Sequence, residues 1–321
     1  MTAGVGLPGA IVSESVPAEH TAERASRGVM AAVVTFQPGG DLRANLSALR
    51  GQIETVVVID NGSANHADVA SAVAATGCRL VSNGANLGIA AALNAAVRIA
   101  RSEGFEWLAT FDQDSLIPLG AVAGLLDVAA SHPASERIGI VAMSHRDRAA
   151  GRDYHRGWDV IEATPTWRSV RTTITSGSFI RVRAFDGVGV FDEQLFIDSV
   201  DHDVCLRCRR RGLLVIEARD QVMAHSIGAV TVRNVLGRRV VWTNHSPDRR
   251  YYITRNTLEV VRRNLAGDFA WAAYALFDLS RVSLTVLVFE KQRLAKAWAI
   301  LAGAGDFLLR RFGPRRPARH G

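Results

Sequence analysis

Asp112 and Asp114 stand one residue apart where an apolar run ends, in the segment WLATFDQDS at 107–115. In an extended strand their carboxylates would point to opposite faces, but a turn at this place would bring both onto one hard cation. Mg²⁺ or Mn²⁺ takes carboxylate oxygens as ligands and bridges them to the oxygens of a diphosphate. The tripeptide also occurs by chance, and a solvated loop is the alternative explanation.

A second acidic segment, FDEQLFIDSVDHD at 191–203, holds five acids in thirteen residues. Asp203 is spaced to pair with Arg207 one helical turn later, so not every acid needs a chemical role. Asp201 falls in the first turn of a predicted helix, where the helix dipole favours the ionised carboxylate. Such a carboxylate suits a general base that takes a proton from a hydroxyl group. Asp198 is the alternative base, and it would otherwise cap the helix.

Polar residues also follow other apolar runs. Asp60 ends TVVVID before the turn residues Asn-Gly-Ser, which would expose its carboxylate to the base or ribose of a nucleoside; an Asx turn is the alternative. Asn86 and Gly88 precede an Ala-rich helix whose N-terminus favours an anion, although ordinary capping by Asn86 explains the same residues. His225 follows an apolar strand. It is either a structural histidine or, beside a two-aspartate site, a third metal ligand.

The elements that must position these residues alternate along the chain. Hydrophobic periodicity predicts strands at 31–36, 55–60, 78–83, 107–111, 138–143, 172–182 and 213–218, with helices at 42–49, 66–76, 88–101, 119–131 and 200–211. This alternation implies βαβ units and a parallel sheet, whose ligands bind beyond the carboxyl ends of the strands. The polar residues predicted to meet there are Thr35, Asp60, Asn83 and Asp112. Residues 145–171 lack a clear period and are predicted to form a connecting or lid region.

The charge of the chain is unevenly distributed. Residues 1–228 carry 21 Arg and Lys against 25 Asp and Glu, a net charge of −4, whereas residues 229–321 carry 17 against 6, a net charge of +11. The acidic chemistry and the basic surface therefore belong to different parts of the chain. The pI near 10 suggests a nucleic-acid-binding protein as an alternative, but no motif for binding RNA or DNA accompanies the basic residues.

Cysteine content and apolar segments bear on the compartment. Three cysteines in 321 residues are too few for a disulfide framework and indicate a reducing compartment. Residues 1–27 lack a basic start followed by an apolar segment, and they predict a flexible leader, not a signal peptide. Residues 269–289 are apolar over the length of a membrane span. Asp278 and Arg281 near the middle of that segment favour contact with the membrane interface over spanning.

Eight stretches, taken together and in order, resemble glycosyltransferase family 2, and specifically its bacterial rhamnosyltransferase branch. They are VVTFQP, VVVIDNGS, NLGIAAALN, FDQDS, TSGSFIRV, FDEQLFIDSVDHDVCLRCRRRG, AHSIG and RRYYITRN, within about 70% of the chain. The resemblance implies a GT-A fold of the α/β class, in which a Rossmann-like, mostly parallel sheet is flanked by helices. The catalytic domain would cover residues 28–233, with a nucleotide half at about 28–116 and an acceptor half at about 117–233. A basic C-terminal helical region would follow at 234–321.

The resemblance also assigns roles within the site. The residues that it implies are Thr35, Asp60, Asn86 and Asp112 for the donor nucleotide and Asp112, Asp114 and His225 for the metal. Asp114 is the expected direct metal ligand, and Asp112 lies nearer the ribose or the metal. Asp201 matches the base of the family. The family's motif there has the form Asp-x-Glu, whereas this chain has Asp201-His202-Asp203, so the role of the second acid is open.

The reaction that the resemblance implies is an inverting transfer, dependent on Mg²⁺ or Mn²⁺, of L-rhamnose from dTDP-β-L-rhamnose. The acceptor would be a hydroxyl of a cell-surface polysaccharide or of a polyprenyl-diphosphate-linked glycan. A galactofuranosyl or glucosyl donor is the alternative. The enzyme would be cytoplasmic, at the inner face of the cytoplasmic membrane, where its basic C-terminal region would contact anionic lipid. The same helices would otherwise pack on the catalytic domain or on a second subunit of a homo-oligomer. No nucleic-acid partner is expected.

Overall fold

Four parallel strands form the first half of the central sheet, in the order β3-β2-β1-β4. They are β1 (Val29–Thr35), β2 (Thr55–Asp60), β3 (Arg79–Ser82) and β4 (Trp107–Asp112), and the helices between them are α1 (Leu42–Arg50), α2 (His66–Thr76) and α3 (Ile89–Ser102). Every residue of β1 is buried, as a continuous apolar run in a central parallel strand predicts. The predicted α/β organisation of this half is confirmed.

The structure is a computed structural model. It describes residues 28–147, 152–153, 158–225, 230–235 and 238–315, with the backbone alone described for 146–147, 152–153, 224–225, 230–235 and 238–241. The predicted leader, residues 1–27, lies outside the described residues.

Antiparallel strands enter in the second half of the sheet. Its strands are β5 (Ile138–Asp147), β6 (Arg152–Asp153), β7 (Val160–Ala163), β8 (Trp167–Val170), β9 (Ser178–Arg181) and β10 (Leu214–His225). Its helices are α4 (Ala121–Ser131), α5 (Ala184–Val188) and α6 (Val200–Arg210). Short 3₁₀ turns lie at Ser135–Arg137 and Glu193–Leu195. The order continues β4-β9-β5-β10-β8-β7, with β6 paired to β5. Because β9 is antiparallel to both β4 and β5, and β10 is parallel to β5, the strands β4, β5 and β10 end at one edge of the sheet.

The second half departs from the predicted elements. Residues 145–171 contain the strands β6, β7 and β8 in place of an irregular connection. The strand predicted at 172–182 is only four residues long, since the chain turns at Gly177, where φ is 76°. Between β9 and α6, where no element was predicted, the chain forms α5 and a 3₁₀ turn.

The C-terminal region begins with a hairpin that the sequence analysis missed. Strands β11 (Val230–Val235) and β12 (Arg238–Thr243) pair antiparallel, so the predicted domain boundary between 233 and 234 falls inside β11. Three helices follow: α7 (Pro247–Asn264), α8 (Phe269–Phe289) and α9 (Arg293–Leu308). Among the described residues, α8 alone has the length and apolar composition to cross a membrane, and 11% of that segment is buried in the protein.

The core lies on both faces of the sheet. Alternate residues of β1 contribute to each face: Met30, Ala32 and Val34 pack with residues of α3 and α6, whereas Val29, Ala31 and Val33 pack with residues of α1, α2 and α4. The two layers of helices leave the carboxyl edge of the strands open, which is where ligands bind in sheets of this kind.

Candidate active site

A cleft of about 670 Å³ lies at the carboxyl ends of β1 and β4 and is closed on the far side by the first turns of α6 and α7. The predicted site residues that line it are Asn86, Asp112, Asp114, Asp198 and Asp201. The structure therefore brings the DxD segment and the acidic segment at 191–203 together. These two parts of the chain are almost ninety residues apart in sequence.

The turn that carries Asp112 and Asp114 is fixed by the segment TSGS at 175–178. Ser176 Oγ accepts a hydrogen bond from the backbone N–H of Asp112 at 3.1 Å and contacts the hydroxyl of Ser115 at 2.6 Å. Gln113, between the two aspartates, accepts a hydrogen bond from the N–H of Phe36 through its side chain at 2.8 Å. The turn therefore leaves both carboxylates on the cleft.

The surroundings of Asp112 in the cleft are unfavourable for an ionised carboxylate. Burial, with the added charges of Asp114 and Asp201, raises the pKa of Asp112 to about 6. A cation between the carboxylates would relieve that repulsion, and carboxylate oxygens are the ligands that Mg²⁺ and Mn²⁺ prefer. The donor set therefore fits a hard divalent cation.

The third predicted metal ligand, His225, is described by its backbone alone. The backbone of His225 ends β10, which runs parallel to β5 and reaches the same edge of the sheet as Asp112. The side chain of His225 lies outside the described part of the structure. Among the residues whose side chains are described, no three His, Cys, Asp or Glu groups converge on one metal position.

Asp201 and Asp198 hold different positions in the cleft. Asp201 lies in the first turn of α6, and its carboxylate accepts a hydrogen bond from the N–H of His202 at 2.8 Å. Asp198 Oδ1 is instead paired with Arg249 at 3.1 Å, and burial raises the pKa of Asp198 against the opposing effect of that guanidinium. The predicted pair between Asp203 and Arg207 forms at 2.8 Å, and Asp203 is fully buried. Asp203 is therefore structural.

The loop before Asp201 has a strained backbone. Three of its residues, Phe196, Asp198 and Ser199, have φ between 62° and 64°, in the left-handed region that non-glycine residues rarely occupy. Such conformations cost about 1–3 kcal/mol each and persist only where the surrounding structure enforces them.

Helix α7 holds this loop through two adjacent buried residues, Arg255 and Asn256. The Asn256 amide nitrogen lies 2.6 Å from the carbonyl oxygen of Leu195, 2.7 Å from that of Ile197 and 3.1 Å from that of Asp198. Arg255 donates to the side-chain oxygen of Asn256 at 2.9 Å and to the carbonyl of Leu195 at 3.3 Å. We call these two residues the loop clamp. They are the Arg-Asn that ends RRYYITRN, for which the sequence analysis had assigned no role.

Two of the residues predicted to contact the nucleotide lie behind the cleft wall. Thr35 is fully buried, and its hydroxyl donates to Asp60 at 3.3 Å. Burial would raise the pKa of Asp60, but hydrogen bonds from Ser63 and His66 outweigh it and lower the pKa. Asp60 is 1% exposed, so its visible role is to fix the turn that follows β2.

The turn after Asp60 presents amides to the cleft. Asn61 and Asn86 both line it, and Asn61 donates to the Asn86 side-chain oxygen at 3.0 Å. Asn83 donates to Asn61 at 3.0 Å, so three amides that follow β2 and β3 form one network. Asn61, which the sequence analysis treated only as a turn residue, occupies the position predicted for Asp60.

Gly88 permits a close contact between two chain segments. Its φ is 88°, and a Cβ there would lie 2.6 Å from both the ring and the carbonyl oxygen of Phe196. The next residue, Ile89, donates its N–H to that carbonyl oxygen at 2.8 Å. Gly88 N–H donates to the Asn86 side-chain oxygen at 3.0 Å, which forms an Asx turn before α3, whereas the N-cap of the helix itself has no side-chain hydrogen bond. Gly88 therefore seats the loop before Asp201 against the start of α3, and it also lines the cleft.

Arg249 is a cleft residue that the sequence analysis missed. Within the described residues it is the one Arg or Lys side chain that lines the cleft. It lies in the first turn of α7, which Ser246 caps by accepting from the N–H of Arg249 at 3.2 Å. The signal was present in the sequence, because Ser-Pro before an arginine pair predicts a helix start there.

Comparison with known proteins identifies the family of the chain. The family described as "Glycosyl transferase family 2" matches residues 31–189, from β1 to the segment after α5. The chain is 32% identical over 269 residues to "dTDP-rhamnosyl transferase RfbF" of Shigella flexneri, a match that covers 80% of this chain and 88% of that protein.

Solved structures share the fold at low sequence identity. GalNAc-T7, in a crystal structure with UDP, GalNAc and Mn²⁺, aligns over 90% of this chain with a TM-score of 0.53 and 13% identity; the chain spans 59% of its length. TarS 1–349 of S. aureus, in complex with UDP-GlcNAc, aligns over 88% of this chain and 81% of its own, with a TM-score of 0.51 and 15% identity. These two likenesses establish the fold alone. The similarity to the Shigella protein over most of both sequences, with the matched family, shows that the chain belongs to glycosyltransferase family 2 and is a glycosyltransferase.

Proposed function

We propose that the chain transfers L-rhamnose from dTDP-β-L-rhamnose to a hydroxyl group of a glycan, with inversion at the anomeric carbon. The observation that carries the proposal is the meeting of Asp112, Asp114 and Asp201 in one cleft, in a chain 32% identical to a protein named as a dTDP-rhamnosyl transferase. The cleft volume of about 670 Å³ is in the range of pockets that hold ligands of this size.

The donor's diphosphate is bound by positive charge on one side of the cleft. Asp112 and Asp114, with His225 as the predicted third ligand, would hold Mg²⁺ or Mn²⁺. When bound, the cation neutralises the charge that develops on the leaving diphosphate. Arg249 supplies a second positive charge, and to bind phosphate oxygens it exchanges its contact with Asp198 for a contact with the donor.

Asp201 acts as the general base. The acceptor hydroxyl oxygen attacks the anomeric carbon from the side opposite the diphosphate, and the hydroxyl proton passes to the Asp201 carboxylate. The bond between the anomeric carbon and the diphosphate oxygen breaks as the new bond forms, and dTDP leaves. One displacement converts the β-linked donor into an α-L-rhamnoside.

The test is a binding panel followed by product analysis. We expect dTDP-L-rhamnose to raise the melting temperature more than UDP-galactofuranose or UDP-glucose does, and NMR of the product to show an α-L-rhamnosyl linkage. In the same assay Asp201→Asn should bind dTDP-L-rhamnose as the wild type does and lose most transfer. A stronger response to another sugar nucleotide would replace rhamnose as the donor sugar, and near-normal turnover by Asp201→Asn would remove it as the base.

We further propose that the enzyme is cytoplasmic and lies on the inner face of the cytoplasmic membrane through α8 and α9. Their outward surface is apolar, with Phe269, Phe277, Leu284, Leu294 and Trp298 between 62% and 80% exposed. A segment with a net charge of +11 complements anionic lipid. Flotation with liposomes of phosphatidylglycerol tests this. Leu294→Ser with Trp298→Ser should abolish flotation, whereas retained flotation, or a dimer that these substitutions dissociate, would contradict membrane contact.

A further inference from the structure

The chain turns back sharply after α9. Arg310 has a φ of 57°, in the left-handed region, and its N–H donates to the carbonyl oxygen of Phe307 at 3.1 Å. The N–H of Arg311 donates to the carbonyl oxygen of Asp306 at 2.8 Å, which completes a Schellman motif at the end of the helix. This turn takes residues 309–315 off the axis of α9 and onto α7.

Gly313 joins this segment to the loop before Asp201. Its N–H donates to the carbonyl oxygen of Gln194 at 2.7 Å, within the acidic segment 191–203. Its carbonyl oxygen accepts a hydrogen bond from Arg255 of the loop clamp at 2.7 Å. The same guanidinium donates to the carbonyl oxygen of Gln194 at 3.3 Å through its other terminal nitrogen. Gly313, Arg255 and Gln194 therefore form a closed set of hydrogen bonds, in which each residue contacts the other two.

The guanidinium of Arg255 is oriented by this segment. Within the described residues, the nitrogen that donates to Gly313 has one further contact, with the Tyr251 hydroxyl at 3.5 Å. The Phe312 ring centroid lies 5.5 Å from the guanidinium carbon, within the range of a cation–π contact. Because Arg255 is 1% exposed, solvent does not readily replace a lost partner. Gly313 and Phe312 therefore fix the guanidinium that holds the loop carbonyls.

A second route from the segment to the loop runs through Tyr252 of α7. The Tyr252 hydroxyl accepts a hydrogen bond from the backbone N–H of Arg315 at 2.7 Å. The Tyr252 ring stacks on that of Phe196, with centroids 5.2 Å apart and the ring planes inclined by 23°. Phe196 is one of the loop residues with positive φ, at 62°. Residues 309–315 are therefore linked to the strained part of the loop by two separate routes.

The positive charges of the segment are paired within the protein. Each of its arginines pairs with an acid of α7 or α9, and the pairs are Arg310–Glu259 at 2.9 Å, Arg311–Asp306 at 3.8 Å and Arg315–Asp248 at 2.6 Å. These arginine side chains are 34–70% exposed, and exposed ion pairs each contribute little to stability. The docking of the segment therefore depends more on Gly313 and Phe312 than on its charges.

We propose that residues 309–315 are a positioning element for catalysis, which acts through Gly313 and Phe312 to hold the loop before Asp201 in its active conformation. This role within the catalytic unit is additional to the lipid contact proposed for the C-terminal region. A shift of about 1 Å in a reacting group can lower the rate roughly a hundredfold, so even a partial release of the loop should slow the reaction. The link to catalysis rests on the proposed glycosyl transfer, in which Asp201 is the base.

The test is Gly313→Pro in the 321-residue chain. Proline removes the N–H that donates to Gln194, and it cannot adopt the φ of 86° found at Gly313. We expect kcat for the hydrolysis of dTDP-rhamnose by water to fall by about tenfold or more, with dTDP affinity unchanged. We also expect amide hydrogen exchange in the loop peptide 191–199 to become about fivefold faster or more, with no change in the peptide of α2.

Two further substitutions in the same segment serve as control and second test. Arg311→Gln is the matched control, because the Arg311 side chain pairs with Asp306 of α9 instead of the loop; it should change neither kcat nor loop exchange. Phe312→Ala removes the ring from Arg255 and leaves the backbone intact, so it should lower kcat even if Gly313→Pro folds poorly. Phe312→Tyr keeps the ring and should retain the wild-type rate.

Three outcomes would overturn the assignment. Unchanged kcat in both Gly313→Pro and Phe312→Ala contradicts a positioning role. Equal losses of kcat and of dTDP affinity would show a general disruption of the fold. A lower kcat with unchanged exchange in the loop would mean that the segment does not act through the loop. A wild type that neither hydrolyses dTDP-rhamnose nor binds dTDP would contradict the proposed function instead, and the exchange measurement would still decide whether the segment holds the loop.

Discussion

We predict that Asn256 of the loop clamp, although its side chain is remote from the reacting atoms, is needed for the full catalytic rate. Asn256 is fully buried in α7, and its amide nitrogen lies within 3.1 Å of three carbonyl oxygens of the loop before Asp201. Asn256→Leu keeps the volume and removes both amide donors. At least two buried carbonyl groups then lose a partner, which costs about 1–3 kcal/mol each, or about 2–6 kcal/mol in all.

That loss of free energy is comparable to the backbone strain of the loop that the clamp holds in place. Three loop residues with positive φ cost about 1–3 kcal/mol each, so the loop is expected to relax once the amide is gone. Relaxation moves Asp201, and a shift of about 1 Å in a reacting group can lower the rate roughly a hundredfold. We therefore expect Asn256→Leu to lower kcat about a hundredfold and to leave dTDP binding unchanged, because the asparagines of the nucleotide side do not touch the clamp.

The assay is the hydrolysis of dTDP-rhamnose by water, measured below the melting temperature of each variant, with dTDP affinity measured in parallel. Asn264→Leu is the control, since Asn264 is equally buried in the same helix but donates to Val260 within that helix at 2.8 Å. It should lose stability and keep kcat. If the kcat of Asn256→Leu stays within threefold of the wild-type value, or if Asn264→Leu lowers kcat as much as Asn256→Leu does, the conformation of the loop does not depend on the clamp.

Three further predictions follow from the site and its surroundings. Excess EDTA should abolish sugar transfer and Mn²⁺ or Mg²⁺ should restore it; full activity in the chelator would refute the cation. Gly88→Ala should destabilise the fold by several kcal/mol, because its Cβ would lie 2.6 Å from the Phe196 carbonyl oxygen. The control is Gly84→Ala, which has open space around it and should cost only about 1–2 kcal/mol. Equal melting temperatures of the two variants would contradict the contact between Gly88 and Phe196. Burial would raise the pKa of Glu259, but hydrogen bonds from two arginines of α7 lower it from 4.5 to about 2. The stabilisation by Glu259 is therefore complete above pH 4.5 and is lost as the pH falls toward 2. In urea denaturation, Glu259→Gln should lower the free energy of unfolding by about 2–3 kcal/mol at pH 7 and by little near pH 2. A loss of stability that does not depend on pH would contradict this.

The parallel half of the fold could be predicted because each of its strands is recognisable from a short stretch of sequence. The runs AAVVTF and TVVVID are continuously apolar, as central strands buried on both faces must be, and the strands end at polar residues. Since parallel strands end at one edge of a sheet, the meeting of Asp112 with other polar groups followed from the strand order alone.

The orientation of single side chains at that edge was not predictable. Thr35 and Asp60 end neighbouring strands in register, yet both are buried against each other, and Asn61 lines the cleft instead. Which of two successive residues lines the cleft depends on how the turn leaves the strand, and the strand pattern does not contain that information.

The antiparallel elements were missed for different reasons. Strand β7 is mostly exposed and four residues long, so it carries no apolar period that would distinguish it from a loop. The hairpin at 230–243 did have a signal, since VTVRNV and RRVVWT are both rich in β-branched or aromatic residues and are separated by the two residues Leu-Gly, a spacing typical of a tight hairpin. The change to Arg-rich composition after 233 concealed that signal.

The C-terminal helices belong to the catalytic unit, although their charge sets them apart in the sequence. Helix α7 provides Arg249 on the cleft and the clamp that holds the loop of Asp198, and α8 provides Asp278 on the cleft wall. A helix whose Arg255 and Asn256 donate to buried loop carbonyls cannot move away without leaving those carbonyls unpaired, which costs about 1–3 kcal/mol for each. The outward face of α8 is exposed and apolar, and Asp278 on its other face lines the cleft, so one helix connects the surface proposed for membrane contact with the candidate active site.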